Sequence, residues 1–174
     1  MKALSLWQPW ASFVAYELKP HETRHWYTSY RGPLAIHAAK NTKGVLELGG
    51  DCEGCIEDGW RYGYIGPNFE IQVGARGSEM ILSGHLPAGM DPAQDLQIDL
   101  PMGAIICTAD LVSCLRMPLA KPRDEWDEAL GNWEAGRYAW HLENVRRLAV
   151  PIPYRGAQGL FDVPDWVFNS EATP

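Results

Sequence analysis

Apolar and polar residues alternate over 3–7, with Leu4 and Leu6 on one face, and a period of two predicts a short strand. Pro9 follows, suited to a first helical position, and Trp10, Phe13, Val14 and Leu18 then recur at helical spacing. One amphipathic helix is predicted over about 9–18, ended by Pro20. Alternation returns over 33–39, with Leu34 and Ile36 on one face and His37 on the other, after a turn at Arg31-Gly32-Pro33. A β-branched, apolar run over 103–115 reads as a well-buried strand with Asp110 in its middle. Residues 123–134 are helical or loop-like with Gly136 as a stop. Strands are expected at 137–145 and 148–152, and a last short one at 161–163.

The texture differs between 44 and 99. Gly and Pro recur, and only 70–73 and 79–82 have modest strand character. This stretch is expected to be an insertion into one domain, because its apolar periodicity is too sparse for a core of its own. The pattern as a whole predicts a mainly β fold with α (α+β), a small mixed barrel with an N-terminal helix. The single domain covers 1–174, with its core at about 3–43 and 100–168.

Composition supports this reading. Eight Trp and 13 Pro in 174 residues favour a turn-rich β architecture over long helices. Pro9 interrupts the N-terminus too early for a signal peptide, and no window has the apolar length of a membrane span, so a soluble cytoplasmic protein is expected. Cys52 and Cys55 form a C-x-x-C, but Cys107 and Cys114 do not supply a matching pair. Free thiols are expected, with no metal and no cofactor.

The distribution of charge says more than its total of −7. Ten acids against Arg61 and Arg76 give 44–100 a net −8 and leave +1 for the remainder. Two basic islands flank that acidic middle: Lys19, Arg24, Arg31, Lys40 and Lys43, and then Arg137, Arg146, Arg147 and Arg155. An acidic total argues against salt-driven binding of duplex DNA and leaves room for a local site that takes one phosphate or one nucleotide.

Candidate chemistry clusters early in the chain. Lys19, Glu22 and Arg24 fall in the turn expected after the helix. A Lys beside a carboxylate can orient a carbonyl or activate water, and an Arg can grip phosphate with two parallel hydrogen bonds. The competing reading is an exposed ion pair of little consequence. Asp110 must face solvent, a partner or a pocket, because burying a lone carboxylate is costly. Trp7, Trp26, Tyr27, Tyr30, Tyr138 and Trp140 offer base-stacking surface or ordinary core. His37 reads as a hydrogen-bonded strand residue.

The segments "LSLWQPWASFV", "LKPHETRHWYTSYRGPLAIHAAK", "LPMGAIICTADLVSC" and "GRYAWHLENVRRLAVPIPYRGAQGLFDVP" together resemble the ASCH domain, a relative of PUA-like barrels. The likeness is to short stand-alone bacterial and phage members. Lys19, Glu22 and Arg24 fall on that family's K-x-x-E-x-R pattern. The resemblance implies a cleft beside the first helix for single-stranded RNA or a modified nucleoside, with Lys19, Arg24, Arg31, Trp7, Gln8, Trp26 and Tyr138 as ligand-binding candidates.

The resemblance also implies an alternative activity, removal of an acyl group from N(4)-acylated cytidine. Lys19, Glu22 and Asp110 would then be catalytic. Glu22 stands where that branch has a Thr nucleophile, so the Thr mechanism does not carry over and Glu22 would activate water directly. Some relatives cut RNA, though no His pair or metal cluster is visible in the sequence to support it. A third expectation is a protein partner docking on the acidic stretch 44–99.

Overall fold

A computed structural model of the chain describes residues 1–40, 62–65, 70–74, 80–83 and 96–169. Among the described residues, ten strands run β1 (Lys2–Leu6), β2 (His21–Arg24), β3 (Gly32–Ala38), β4 (Tyr62–Ile65), β5 (Glu70–Gly74), β6 (Met80–Ser83), β7 (Leu96–Asp99), β8 (Ala104–Arg116), β9 (Tyr138–Pro153) and β10 (Leu160–Asp162). Three short helices lie among the described residues: α1 (Trp10–Ala15), α2 (Glu125–Leu130) and α3 (Trp166–Asn169). Six strands form one curled sheet in the order β10-β1-β3-β8-β9-β2, giving the small α+β barrel expected of the chain. Among the described residues only the β1–β3 pair of this sheet is parallel.

Alternation decides which side of the sheet each residue serves. Leu4, Leu6, Leu34 and Ile36 point into the main core, where Ala11 and Val14 of α1 meet Ile106, Leu111, Trp140 and Leu142. Ala3 and Ala35 point the other way, onto a smaller cluster with Ile105, Val163 and Val167. Ser5 and His37 follow the same register on that second side. They are cross-strand partners in the β1–β3 pair.

Helix α1 ends earlier than its apolar spacing predicts. Glu17 takes a left-handed conformation (φ 60°), Leu18 N–H reaches back to the Phe13 carbonyl, and Glu17 N–H reaches Val14. Those two bonds are a Schellman closure, with buried Leu18 packing as the motif requires. The chain then turns inward at Lys19 and enters β2.

This strand is a departure from the turn expected over 19–24. Its four residues lack apolar alternation and are held by pairing with β9, Glu22 opposite Trp140 and Arg24 opposite Tyr138. The two strands expected at 137–145 and 148–152 are one, β9, whose register against β8 slips at several points. At one slip Asn144 adopts φ 50°, and Asn tolerates that region better than most residues.

Within the acidic stretch, β4 to β7 form a separate antiparallel sheet in the order β6-β5-β4-β7. It contains more strand than the sequence pattern shows. The pair Cys52 and Cys55, and most of the surface expected to dock a protein, lie outside the described residues. No helix among the described residues is long and apolar enough to cross a membrane.

Candidate functional site

The inward turn after α1 drives Lys19 into the protein, where its side chain is 2% exposed. Its Nζ donates to the His21 carbonyl and lies 3.0 Å from Glu22 Oε2. Arg24, two residues on and on the same face of β2, brings Nε to 2.9 Å from Glu22 Oε1. That N–H is not aimed at the oxygen, so the contact is Coulombic rather than a directed hydrogen bond. The far end of the guanidinium is fixed, its Nη2 donating to the Ser5 carbonyl at 3.0 Å. Glu22 is therefore clamped between two cations, and the clamp reaches from β2 at one edge of the sheet to β1. An excess of one positive charge remains, with Lys19 and Glu22 buried and Arg24 26% exposed.

Asp110 is not part of this cluster. It sits opposite Pro33 and Glu143, whereas Glu22 aligns through Trp140 with Cys114, four residues further along β8. That is about 13 Å of strand. Asp110 accepts a hydrogen bond from Asn144 Nδ2 at 2.9 Å. Its carboxylate thus pins the left-handed residue of the β9 bulge, which accounts for a charged residue in an apolar run.

The remaining sequence candidates divide by exposure. Gln8 is fully buried, and its amide is already engaged: Oε1 accepts from Ser12 N–H, while Nε2 donates to Ser12 Oγ and the Pro101 carbonyl. It serves the first turn of α1. Trp26 packs edge-on against Trp140, ring centroids 4.5 Å apart, and its carbonyl accepts from Trp140 Nε1. Tyr138 is half-buried against the core and pairs with exposed Tyr27. Arg31 is exposed, its guanidinium held by the carbonyls of Thr28 and Tyr30.

Trp7 is different. The residue is 38% exposed and lines a cleft of about 770 Å³ with Ser5, His37, Lys40, Arg155 and Gln158. Lys40 comes from the first basic island and Arg155 from the second, so the cleft draws on both. At its base Ser5 Oγ lies 3.1 Å from His37 Nδ1, and His37 Nε2 lies 3.0 Å from the Tyr154 carbonyl. Burial pushes His37 below the usual imidazole range, with the Tyr154 bond opposing in part.

On the opposite side of β2 from Glu22 is a cluster the sequence does not show. His21 Nδ1 lies 2.6 Å from Asp127 Oδ2, and the His21 ring stacks on His141 with centroids 4.5 Å apart. Asp127 is fully buried and accepts from the backbone N–H groups of His21 and Arg123. Burial first, and the neighbouring His21 next, lower the His141 pKa. Three segments supply this cluster, His21 lying over a hundred residues before Asp127 and His141, and no local pattern announces it. Among the described residues no group of His, Cys, Asp and Glu is placed to hold a metal ion.

The described strands curl into a small α+β barrel with a short helix after β1 and the Lys19–Glu22–Arg24 clamp, the architecture of PUA-like modules. The family model for the ASCH domain matches residues 4–152, and the chain belongs to that family. No curated protein matches it.

Proposed function

We propose that the chain binds single-stranded RNA or a modified nucleoside in the cleft beside Trp7. One observation carries this reading: a half-open indole shares a cleft of nucleotide size with two cations, Lys40 and Arg155. A base stacks on the Trp7 ring, and its phosphate meets Lys40 and Arg155. Gln158 offers both a donor and an acceptor to a base edge. The net charge of −7 disfavours duplex DNA, whose binding scales with the number of phosphates neutralised.

The Lys19–Glu22–Arg24 clamp supports the cleft from beneath. Lys19 is enclosed and its partners are satisfied, so it does not meet a ligand directly. Arg24 holds the Ser5 carbonyl, and Ser5 lines the cleft. Titration of short single-stranded RNA, the matching DNA and free nucleosides at moderate salt tests the reading. Saturable binding is expected, weakened about 5- to 150-fold by Trp7→Ala, since stacking contributes about 1–3 kcal/mol per base. No saturable binding to any of these would end it.

A further inference from the structure

The base of the cleft holds a second kind of chemistry. Ser5 and His37 face one another across the parallel β1–β3 pair, Oγ to Nδ1 at 3.1 Å. The other ring nitrogen, Nε2, is 3.0 Å from the Tyr154 carbonyl. A carbonyl oxygen only accepts, so Nε2 carries a proton, and in the neutral ring Nδ1 is left as a bare lone pair. The Ser5 hydroxyl therefore donates to Nδ1. Burial keeps the ring in that neutral, basic form.

The ring is also held from its sides. Phe161 meets it edge-on at 6.2 Å. The backbone at Gly156 closes so tightly that an added Cβ would lie 2.4 Å from His37 Cε1 and 2.7 Å from Ser5 Oγ. Ser5 itself is partly exposed and opens into the cleft that Trp7, Lys40 and Arg155 line. A serine–histidine bond between two strands can be purely structural. Here it stands at the floor of an open, cationic, aromatic hollow, with the imidazole tautomer set by a third group. Nucleophile, base and orienting acceptor are ordered as in a triad, with a backbone carbonyl in place of a carboxylate.

We propose that Ser5 is a nucleophile and His37 its general base in an acyl-transfer site within this cleft. The substrate class is a carboxylic ester whose alcohol part is a ring-bearing, anionic group, an assignment that rests on the nucleotide-binding reading. Ser5 Oγ attacks the acyl carbon as its proton passes to His37 Nδ1. The tetrahedral adduct expels the alcohol oxygen, which takes that proton from Nδ1. Water then attacks the acyl-Ser5 ester, giving its proton to Nδ1. Collapse releases the carboxylic acid, and the proton returns to Ser5 Oγ. The negative charge that develops on the carbonyl oxygen forms within a cleft lined by Lys40 and Arg155. A carbonyl dipole stabilises the imidazolium less than a carboxylate does, so the site suits esters, with their better leaving groups, over amides.

The test uses the full chain with a fluorophosphonate probe and with p-nitrophenyl acetate. One covalent adduct is expected, mapped by peptide mass spectrometry to Ser5 and absent in Ser5→Ala. Ester turnover is expected to fall about 10²- to 10⁴-fold in His37→Gln, the usual contribution of a general base. Thermal melts establish that each variant is folded. Adduct mapping on the unaltered chain decides the matter if His37→Gln is not. No adduct, or one on another residue, overturns the dyad, and RNA titration of the same preparation shows independently whether the binding reading stands. An adduct at Ser5 in a protein that binds no nucleic acid supports the dyad and overturns only the nucleotide assignment.

Discussion

Lys19 Nζ stands 3.0 Å from Glu22 Oε2, and both side chains are closed off from water, 2% and 9% exposed. Removing one member of a buried pair strands the other charge and typically costs about 3–5 kcal/mol. Glu22→Ala leaves Lys19 and Arg24 facing each other uncompensated, so it is expected to fall in or above that range. The double variant Lys19→Met/Glu22→Leu removes both buried charges of the pair and is expected to lose less than Glu22→Ala alone. Urea unfolding of the three proteins checks this. A double variant less stable than the single one would contradict it.

Asp127 presents a different dependence. It receives the His21 ring and two backbone N–H groups while fully buried. Asp127→Ala leaves those donors unsatisfied at about 1–3 kcal/mol each. Asp127→Asn keeps one acceptor oxygen and is expected to lie between the wild type and Ala in denaturant midpoint. Equal midpoints for Asn and Ala would show that the hydrogen bonds matter less than the packing.

Gly156 is required for want of space, not for backbone freedom. Gly156→Ala drives a methyl group into the His37 ring and Ser5 Oγ, and overpacking of this kind costs about 1–3 kcal/mol. For a chain of this size that is a melting temperature lower by roughly 2–4 °C per kcal/mol. An unchanged melt would mean that the 156 backbone moves aside freely.

Acid sensitivity follows from two imidazoles. His37 and His141 are both lowered in the folded protein, first by burial. In the unfolded chain they titrate near about 6.5. Below that pH the unfolded state takes up protons that the folded state resists, so stability falls as pH drops from about 6.5 toward the depressed folded values. Above about 7.5 these two groups contribute no slope. Melting temperatures between pH 8 and pH 5.5 are expected to be level at first and then to decline. The decline is smaller in His37→Gln. A flat profile down to pH 5.5 would contradict the burial argument.

Much of the barrel was legible because its strands are half-buried. β1, β3 and β8 announce themselves by alternation or by an apolar run, and the α1 face by Phe13 and Val14. β2 did not, since His-Glu-Thr-Arg has no apolar phase and depends on pairing with β9. The gathering of Lys19, Glu22 and Arg24 was expected from the family resemblance, since their spacing alone suits an exposed ion pair equally well, and the depth of Lys19 was in neither. That depth comes from the turn closed by Glu17. Asp110 was expected to join Lys19 and Glu22, and it lies apart from them, bonded to Asn144. That partner lies 34 residues away. Ser5 with His37, and His21 with Asp127, are 32 and 106 positions apart. Only strand pairing and helix placement bring such residues together, and one sequence carries no local trace of that.

The β3–β8 pair has a consequence for how this chain can change. Ala38 and Ala104 are cross-strand partners, and Gly103 N–H donates to the Ala38 carbonyl at 2.7 Å. The chain thus leaves the barrel and re-enters it about one strand spacing apart, roughly 5 Å. Closure entropy rises only with the logarithm of length, so spanning that gap with roughly 60 residues instead of a five-residue hairpin costs only about 2 kcal/mol more. The β3–β8 register therefore sets little limit on the length of the connection, while Lys40 and Gly103, at its two ends, tie that connection to the lining of the cleft.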